Sequence, residues 1–113
     1  MLLRGSPECE IIDELKPASG ELVVRKVRFG SFSTTNLGPL LKERGVESLV
    51  LAGVSTGGVV LSTVRDAADQ DYRLYVLADA CGDPDPTVHE TLVERVLPQQ
   101  SWIVETSQLP KLL

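Results

Sequence analysis

Hydrophobic and polar positions along this chain follow two alternating rhythms. VESLVLAG (46–53) is apolar without alternation, the pattern of a strand covered on both faces of a sheet. GGVVLSTVRDAADQD (57–71) places Val60, Val64 and Ala67 or Ala68 at helical spacing on one face. DYRLYVLADA (71–80) is again strand-like, and GDPDP (82–86) is its turn. PTVHETLVERVL (86–97) predicts a helix with Pro86 at or near its first position and Val88, Leu92 and Val96 turned inward. SWIVET (101–106) predicts a last strand, and SQLPKLL (107–113) a frayed ending. Nearer the start, ECEIIDELKP (8–17) predicts a short helix with Ile11, Ile12 and Leu15 on one face and Pro17 ending it. ELVVRKV (21–27) is β-branched and predicts a strand, and FGSFSTT (29–35) a loop of small residues. Thr34 or Thr35 is placed to cap a helix over NLGPLLKERG (36–45), with Gly45 at its C′ position. Strand and helix in alternation at this spacing predict an α/β fold, a three-layer α/β/α, Rossmann-like parallel sheet with right-handed crossovers.

At 113 residues the chain is one domain, residues 1–113, just large enough to bury its own core. A net charge of −5 argues against a nucleic-acid surface, which needs clustered Lys and Arg. No apolar run approaches the roughly 20 residues of a membrane span, and MLL is too short for the core of a signal peptide. No repeat or low-complexity tract is present. Cys9 and Cys81 have neither CxxC nor Cys/His spacing, so a disulfide or zinc framework is not expected and a reducing cytoplasm is. Both read as small apolar fillers.

The candidate chemistry lies in GVSTGGVVLST (53–63), a glycine-rich turn at the C-terminal end of an apolar strand, the sheet edge where ligands bind in such folds. Backbone N–H groups of Ser55 to Val59 meet the positive end of the following helix there, which suits a carboxylate, a phosphate or a developing oxyanion. A phosphate loop is excluded because no Lys follows Gly58, and GxGxxG is absent. A second reading stays open: Gly57 and Gly58 permit close packing of strand against helix. No cofactor or metal is called for. GDPDP lacks the alternating oxygen ligands of a calcium loop. His89, the single histidine, has no acid or Cys partner at catalytic spacing and reads as an exposed or half-buried helix residue. Asp66 and Asp79 read as buttresses and Trp102 as a packing residue.

Three segments in order resemble the isochorismatase-like cysteine hydrolases, a superfamily that includes nicotinamidases, N-carbamoyl amide hydrolases and isochorismatases. RGSPECEIIDELKP (4–17) resembles the family's entry to its third strand. VVRKVRFGSFSTTNL (23–37) resembles its V-V-x-K-x-R-x-S-A-F-x-G-T-D-L. GVSTGGVVLSTVRDAADQDYRLYVLADAC (53–81) resembles G-V-x-T-D-x-C-V-x-x-T-A-x-D-A followed by the next strand. The resemblance implies a catalytic group of Asp, Lys and Cys, with backbone amides beside a non-proline cis peptide holding the oxyanion. Carried to this chain, the Lys is Lys26, the cis bond is Val54–Ser55, and the oxyanion amides are those of Ser55 and Val59. Thr56, Gly57 and Gly58 complete the turn, and Arg28 and Phe32 are candidates for lining a pocket. The nucleophile's position is Val59, which has no lone pair and no proton to lose, so thiolate catalysis is not available there.

On the same resemblance, the catalytic Asp and the nicotinamidase metal ligands belong to the family's first strand, which precedes anything in this sequence. The implied strand order 3-2-1-4-5-6 makes ELVVRKV the third strand and SLVLAG the fourth, a truncated sheet of about four strands. SLVLAG is then left beside an open edge suited to pairing with another chain. The expectations are a hydrolase relative acting on a small-molecule ligand, or a non-catalytic binding or oligomerisation module, and self-association into a homo-oligomer.

Overall fold

The structure, a computed structural model, describes residues 5–113. Its centre is a parallel sheet of three strands, β1 (Ser48–Val54), β2 (Arg73–Gly82) and β3 (Trp102–Val104), in spatial order β1-β2-β3. β1 and β2 pair from Ser48↔Arg73 to Leu51↔Val76, and β2 continues onto β3 through Tyr75↔Trp102 and Leu77↔Val104. The first helix, α1 (Leu37–Glu43), precedes the sheet. Its N-cap is Asn36, which makes no side-chain cap bond, while Thr35, one position earlier, accepts from Leu37 N–H through Oγ1 at 3.2 Å. Gly45 ends it with φ 68°, the left-handed cap that glycine takes without a Cβ clash.

The crossover from β1 to β2 runs through a π-helical stretch, Thr56–Val60, into α2 (Leu61–Asp69). The second crossover begins with α3 (Pro86–Thr91), capped by the Asp85 side chain on Thr87 N–H at 2.9 Å, with Pro86 in its first turn. It widens to π-helix at Leu92–Val96 and tightens to 3₁₀ at Leu97–Gln99. That change of pitch rotates the buried face, so Leu92 and Leu97 are the buried residues while Val88 is 38% exposed. Val60, Val64 and Ala67 meet Leu74, Val76, Leu92 and Leu97 in one cluster, so both crossovers cover the same face.

The expected strand at 21–27 does not form, so three strands stand where about four were expected. Its register partners are absent among the described residues, and Val23 and Val27 are 67% and 64% exposed. β-propensity describes fit to a neighbouring strand rather than an intrinsic backbone state. The expected helix at 8–17 is likewise two 3₁₀ turns, Pro7–Cys9 and Asp13–Leu15, with Ile11, Ile12 and Leu15 exposed. A helix this short is not stable without a surface for its apolar stripe. Arg4, which opens the first family-like segment, lies outside the described residues.

β1 is not covered on both faces. Leu49 and Leu51 turn toward the cluster, while Val50 and Val54 are exposed on the opposite face. Val50 lies level with Tyr75, and Tyr75 with Trp102, whose rings stack at 5.3 Å and 25°. Trp102 thus packs, on Tyr75, yet remains 58% exposed.

Leu74, 1% exposed near the start of β2, is expected to be the costliest strand residue to truncate. Leu74→Ala should lower the unfolding free energy by about 2–5 kcal/mol in urea denaturation, the range for an unrelaxed core cavity. A loss below about 1 kcal/mol would mean that this cluster is not the stabilising core.

Candidate functional site

The turn after β1 begins at a bulge. Pairing with β2 shifts between Leu51 and Gly53, and Gly53 takes φ 139°, a conformation open to glycine and strained for other residues. Val54 closes the strand, 76% exposed, and the Val54–Ser55 peptide is cis, the position that the sequence resemblance nominates. The carbonyl of Ser55 then accepts from Gly58 N–H at 3.1 Å and Val60 N–H at 3.2 Å, which closes the turn. Gly57 N–H donates to Asp83 Oδ2 at 2.8 Å. The amides of Ser55 and Val59 stand outside these three bonds.

Both glycines sit at close contacts. A Cβ on Gly58 would lie 2.6 Å from Ser55 Oγ, and one on Gly57 would meet Asp83 Oδ2 and Val88 Cγ1 at 3.1 Å each. These contacts bear out the close packing of strand against helix at the two glycines. Val59, the residue that the sequence resemblance aligns with the nucleophile, is half-buried and packs against the hydrophobic cluster.

Two residues that sequence spacing did not connect with the turn are bound to it. Thr56 is fully buried and shares a 2.7 Å hydrogen bond with His89 Nδ1. Asp83 accepts from Gly57 N–H through one oxygen and from Asp85 N–H through the other, at 3.0 Å. The Asp85 and Gly57 amides hold the Asp83 carboxyl below its usual range, and the nearby His89 adds to this. The signal was present in the topology: in a parallel sheet, residues following β2 emerge beside residues following β1, and Val54 pairs with Gly82 immediately before Asp83.

The other nominated residues sit apart from these contacts. Lys26 is exposed, and its Nζ donates to the Arg28 carbonyl at 2.9 Å. Arg28 donates to the Val27 carbonyl and, with Ser33, Ser62, Arg65 and Asp66, lines a groove of about 760 Å³. Phe32 packs on Tyr72 with ring centroids 5.9 Å apart. This loop is fixed to α2 where Ser31 N–H donates to Thr63 Oγ1 at 3.2 Å and Thr63 Oγ1 donates to Ser31 Oγ at 3.0 Å. Asp79 buttresses the end of β2, accepting from Thr106 N–H at 2.9 Å and Thr106 Oγ1 at 2.7 Å. Burial pushes the Cys81 thiol upward, opposed by the Gly53 amide and reinforced by Asp79, which suits a filler rather than a nucleophile.

Comparison with known proteins identifies the family. Residues 1–108 match the isochorismatase domain family, and the chain belongs to that family. It is 34% identical over 107 residues to the ureidoacrylate amidohydrolase RutB of Acinetobacter baylyi, covering 94% of this chain and 44% of that protein. An isochorismatase family protein from Desulfovibrio vulgaris superposes with a TM-score of 0.89 at 34% identity, over 96% of this chain and 57% of the other. N-carbamoylsarcosine amidase from Thermoplasma acidophilum superposes at 0.77 with 30% identity, over 89% of this chain and 57% of the other. The chain thus spans about half the length of the relatives it matches. Among the described residues no helix is long and apolar enough to cross a membrane.

Gly58→Ala must move either the Ser55 side chain or the buried turn. A loss of about 1–3 kcal/mol in chemical denaturation is expected, the usual cost of overpacking; an unchanged midpoint would show that the turn has room. Asp79 gives a pH test. Thr106 holds its folded pKa below the usual carboxylate range, so its contribution is complete above the unfolded-state pKa and fades as pH falls through the lower folded value. Protection of the Thr106 amide from hydrogen exchange should persist below the ordinary Asp range, be lost only as pH falls through the lower folded pKa, and be absent throughout in Asp79→Ala.

Proposed function

We propose that residues 1–113 supply part of an isochorismatase-like hydrolase site that acts on a small amide or carboxylate-bearing molecule, without a cysteine nucleophile. One observation carries the reading: in a member of this family, the turn at the C-terminal end of β1 keeps the Ser55 and Val59 amides clear of the bonds that close it. Relatives matched over most of this chain are an amidohydrolase and an amidase. In this reading those amides stabilise the developing oxyanion, and Lys26 stabilises charge beside it. A carboxylate general base comes from strands outside this sequence, and Val59 fills the nucleophile's position without reacting. Arg28 borders the ligand's approach. No cofactor is required. A reducing cytoplasm fits the sparse cysteines Cys9 and Cys81.

The full open reading frame provides the test. An in-frame apolar strand ending in Asp upstream of Met1 is expected, and the encoded polypeptide should hydrolyse ureidoacrylate, isochorismate or a simple amide. Lys26→Ala should lower its kcat/KM at least tenfold, about 1.4 kcal/mol of transition-state stabilisation. A frame that begins at Met1 together with no turnover would end the catalytic reading.

A second reading, a non-catalytic oligomerisation module, is favoured by one separate feature. The open edge of β1 and the exposed Val50 and Trp102 form a surface suited to another copy of the chain. Sedimentation should then give a dimer or larger species at micromolar concentration; a monomer with a sharp cooperative melt counts against association.

A further inference from the structure

Between the Ser55 and Val59 amides lie Thr56, Gly57 and Gly58, and of these three residues only Thr56 has a side chain. Thr56 is fully buried, and its hydroxyl shares a 2.7 Å hydrogen bond with Nδ1 of the half-buried His89. A Thr hydroxyl at the start of a helical stretch commonly turns to a backbone group of its own segment; here the bond crosses to α3. Val88, the residue before His89, lies against Gly57, where a Cβ would meet Val88 Cγ1 at 3.1 Å. Consecutive residues of α3 thus touch consecutive residues of the turn. α3 is itself anchored: the Asp85 side chain caps it on Thr87 N–H, and Leu92, three residues after His89 and so on its side of the helix, is buried in the core.

We infer that His89 is a positioning residue: through Thr56 it sets the placement of the Ser55 and Val59 amides, and it touches no reacting atom itself. For its chemical meaning the inference rests on the proposed hydrolase reading, to which it adds a residue of the second crossover. Oxyanion stabilisation depends on donors already aimed at the place where charge develops. A misplacement of about 1 Å, caused far from the reacting atoms, can cost about a hundredfold in rate. The bonds from Gly58 and Val60 N–H to the Ser55 carbonyl close the turn from within. The Thr56–His89 bond holds it from outside, and it joins two side chains, so it can be removed with the backbone left unaltered. Because the oxyanion exists only during the reaction, loss of this placement falls on kcat rather than on KM.

The test uses the polypeptide encoded by the full open reading frame, with two readouts: backbone amide NMR, and kinetics on whichever of ureidoacrylate, isochorismate or a simple amide it hydrolyses. His89→Ala should lower kcat about tenfold or more with KM within about twofold. It should also shift the Ser55 and Val59 amide resonances while leaving those of β2 in place. His89→Asn puts an amide group where Nδ1 stands, and should restore the wild-type resonances and a kcat within about threefold of wild type. Unmoved Ser55 and Val59 resonances in His89→Ala overturn the inference, as does a loss that falls on KM alone or one that His89→Asn does not restore. Should His89→Ala fail to fold, Thr56→Val decides: it keeps the size of the side chain, removes the hydroxyl, and should give the same shifts and the same fall in kcat. A wild type without turnover would sink the hydrolase reading, and the two amide resonances alone would then decide the His89 assignment. Wild-type turnover with Ser55 and Val59 unmoved in His89→Ala would sink the assignment and leave the hydrolase reading standing.

Discussion

Thr56 cannot be buried beneath the end of β1 unless its hydroxyl finds a partner, and the partner is His89, two elements further along the chain. That requirement ties the first crossover to the second. Segment 56–64 is at once the corner at the C-terminal end of β1 and a wall of the core, since Thr56, Gly58, Val60, Thr63 and Val64 are all buried. A site built from core residues is stiff, because interiors pack at crystal-like density and transmit small displacements. Val59, which the sequence resemblance aligns with a nucleophile, inherits this constraint. Val59 rests against the cluster, so exchange between an aliphatic and a sulfhydryl side chain there concerns packing as well as chemistry.

Family membership gives these contacts their meaning. Relatives about twice as long share the fold of this stretch with high structural agreement, and several carry names that denote hydrolysis of amide-like bonds. What the described residues contribute is the half of the architecture containing the turn. The other half of the relatives' length has no counterpart in this sequence. The physical marks of that difference are an open edge at β1, an uncovered face bearing Val50 and Trp102, and a segment at 21–27 with strand composition but no ladder. Each is a surface that costs solvation free energy when left bare.

Electrostatics at the sheet edge runs opposite to the simplest picture of a vacant anion cradle. The helix end and its amides favour negative charge, and the chain supplies that charge itself from Asp83, with Asp79 performing the equivalent service for Thr106. The Thr106 hydroxyl, then its amide, lower the pKa of Asp79, and the Asp85 and Gly57 amides lower that of Asp83, so each is a structural anion more than a candidate acid.

The sequence alone determined the class and order of the elements from residue 36 onward. Val60, Val64 and Ala67 at helical spacing, Pro86 at a helix start, Gly45 at a helix end and the apolar run of β1 are local signals, set by covalent geometry and by periodicity over a few residues. The family-like motifs also located the cis peptide at Val54–Ser55 and the turn that follows it. Only the tertiary structure decided which of these segments had neighbours. Residues 8–17 and 21–27 have strand or helix patterns that no partner completes, and the pitch change at Leu92–Val96 moved the buried face from Val88 to Leu97. The pairing of His89 with Thr56 and of Asp83 with Gly57 joins positions far apart in the chain. Such contacts depend on two strands ending side by side, a relation that neither spacing nor composition records.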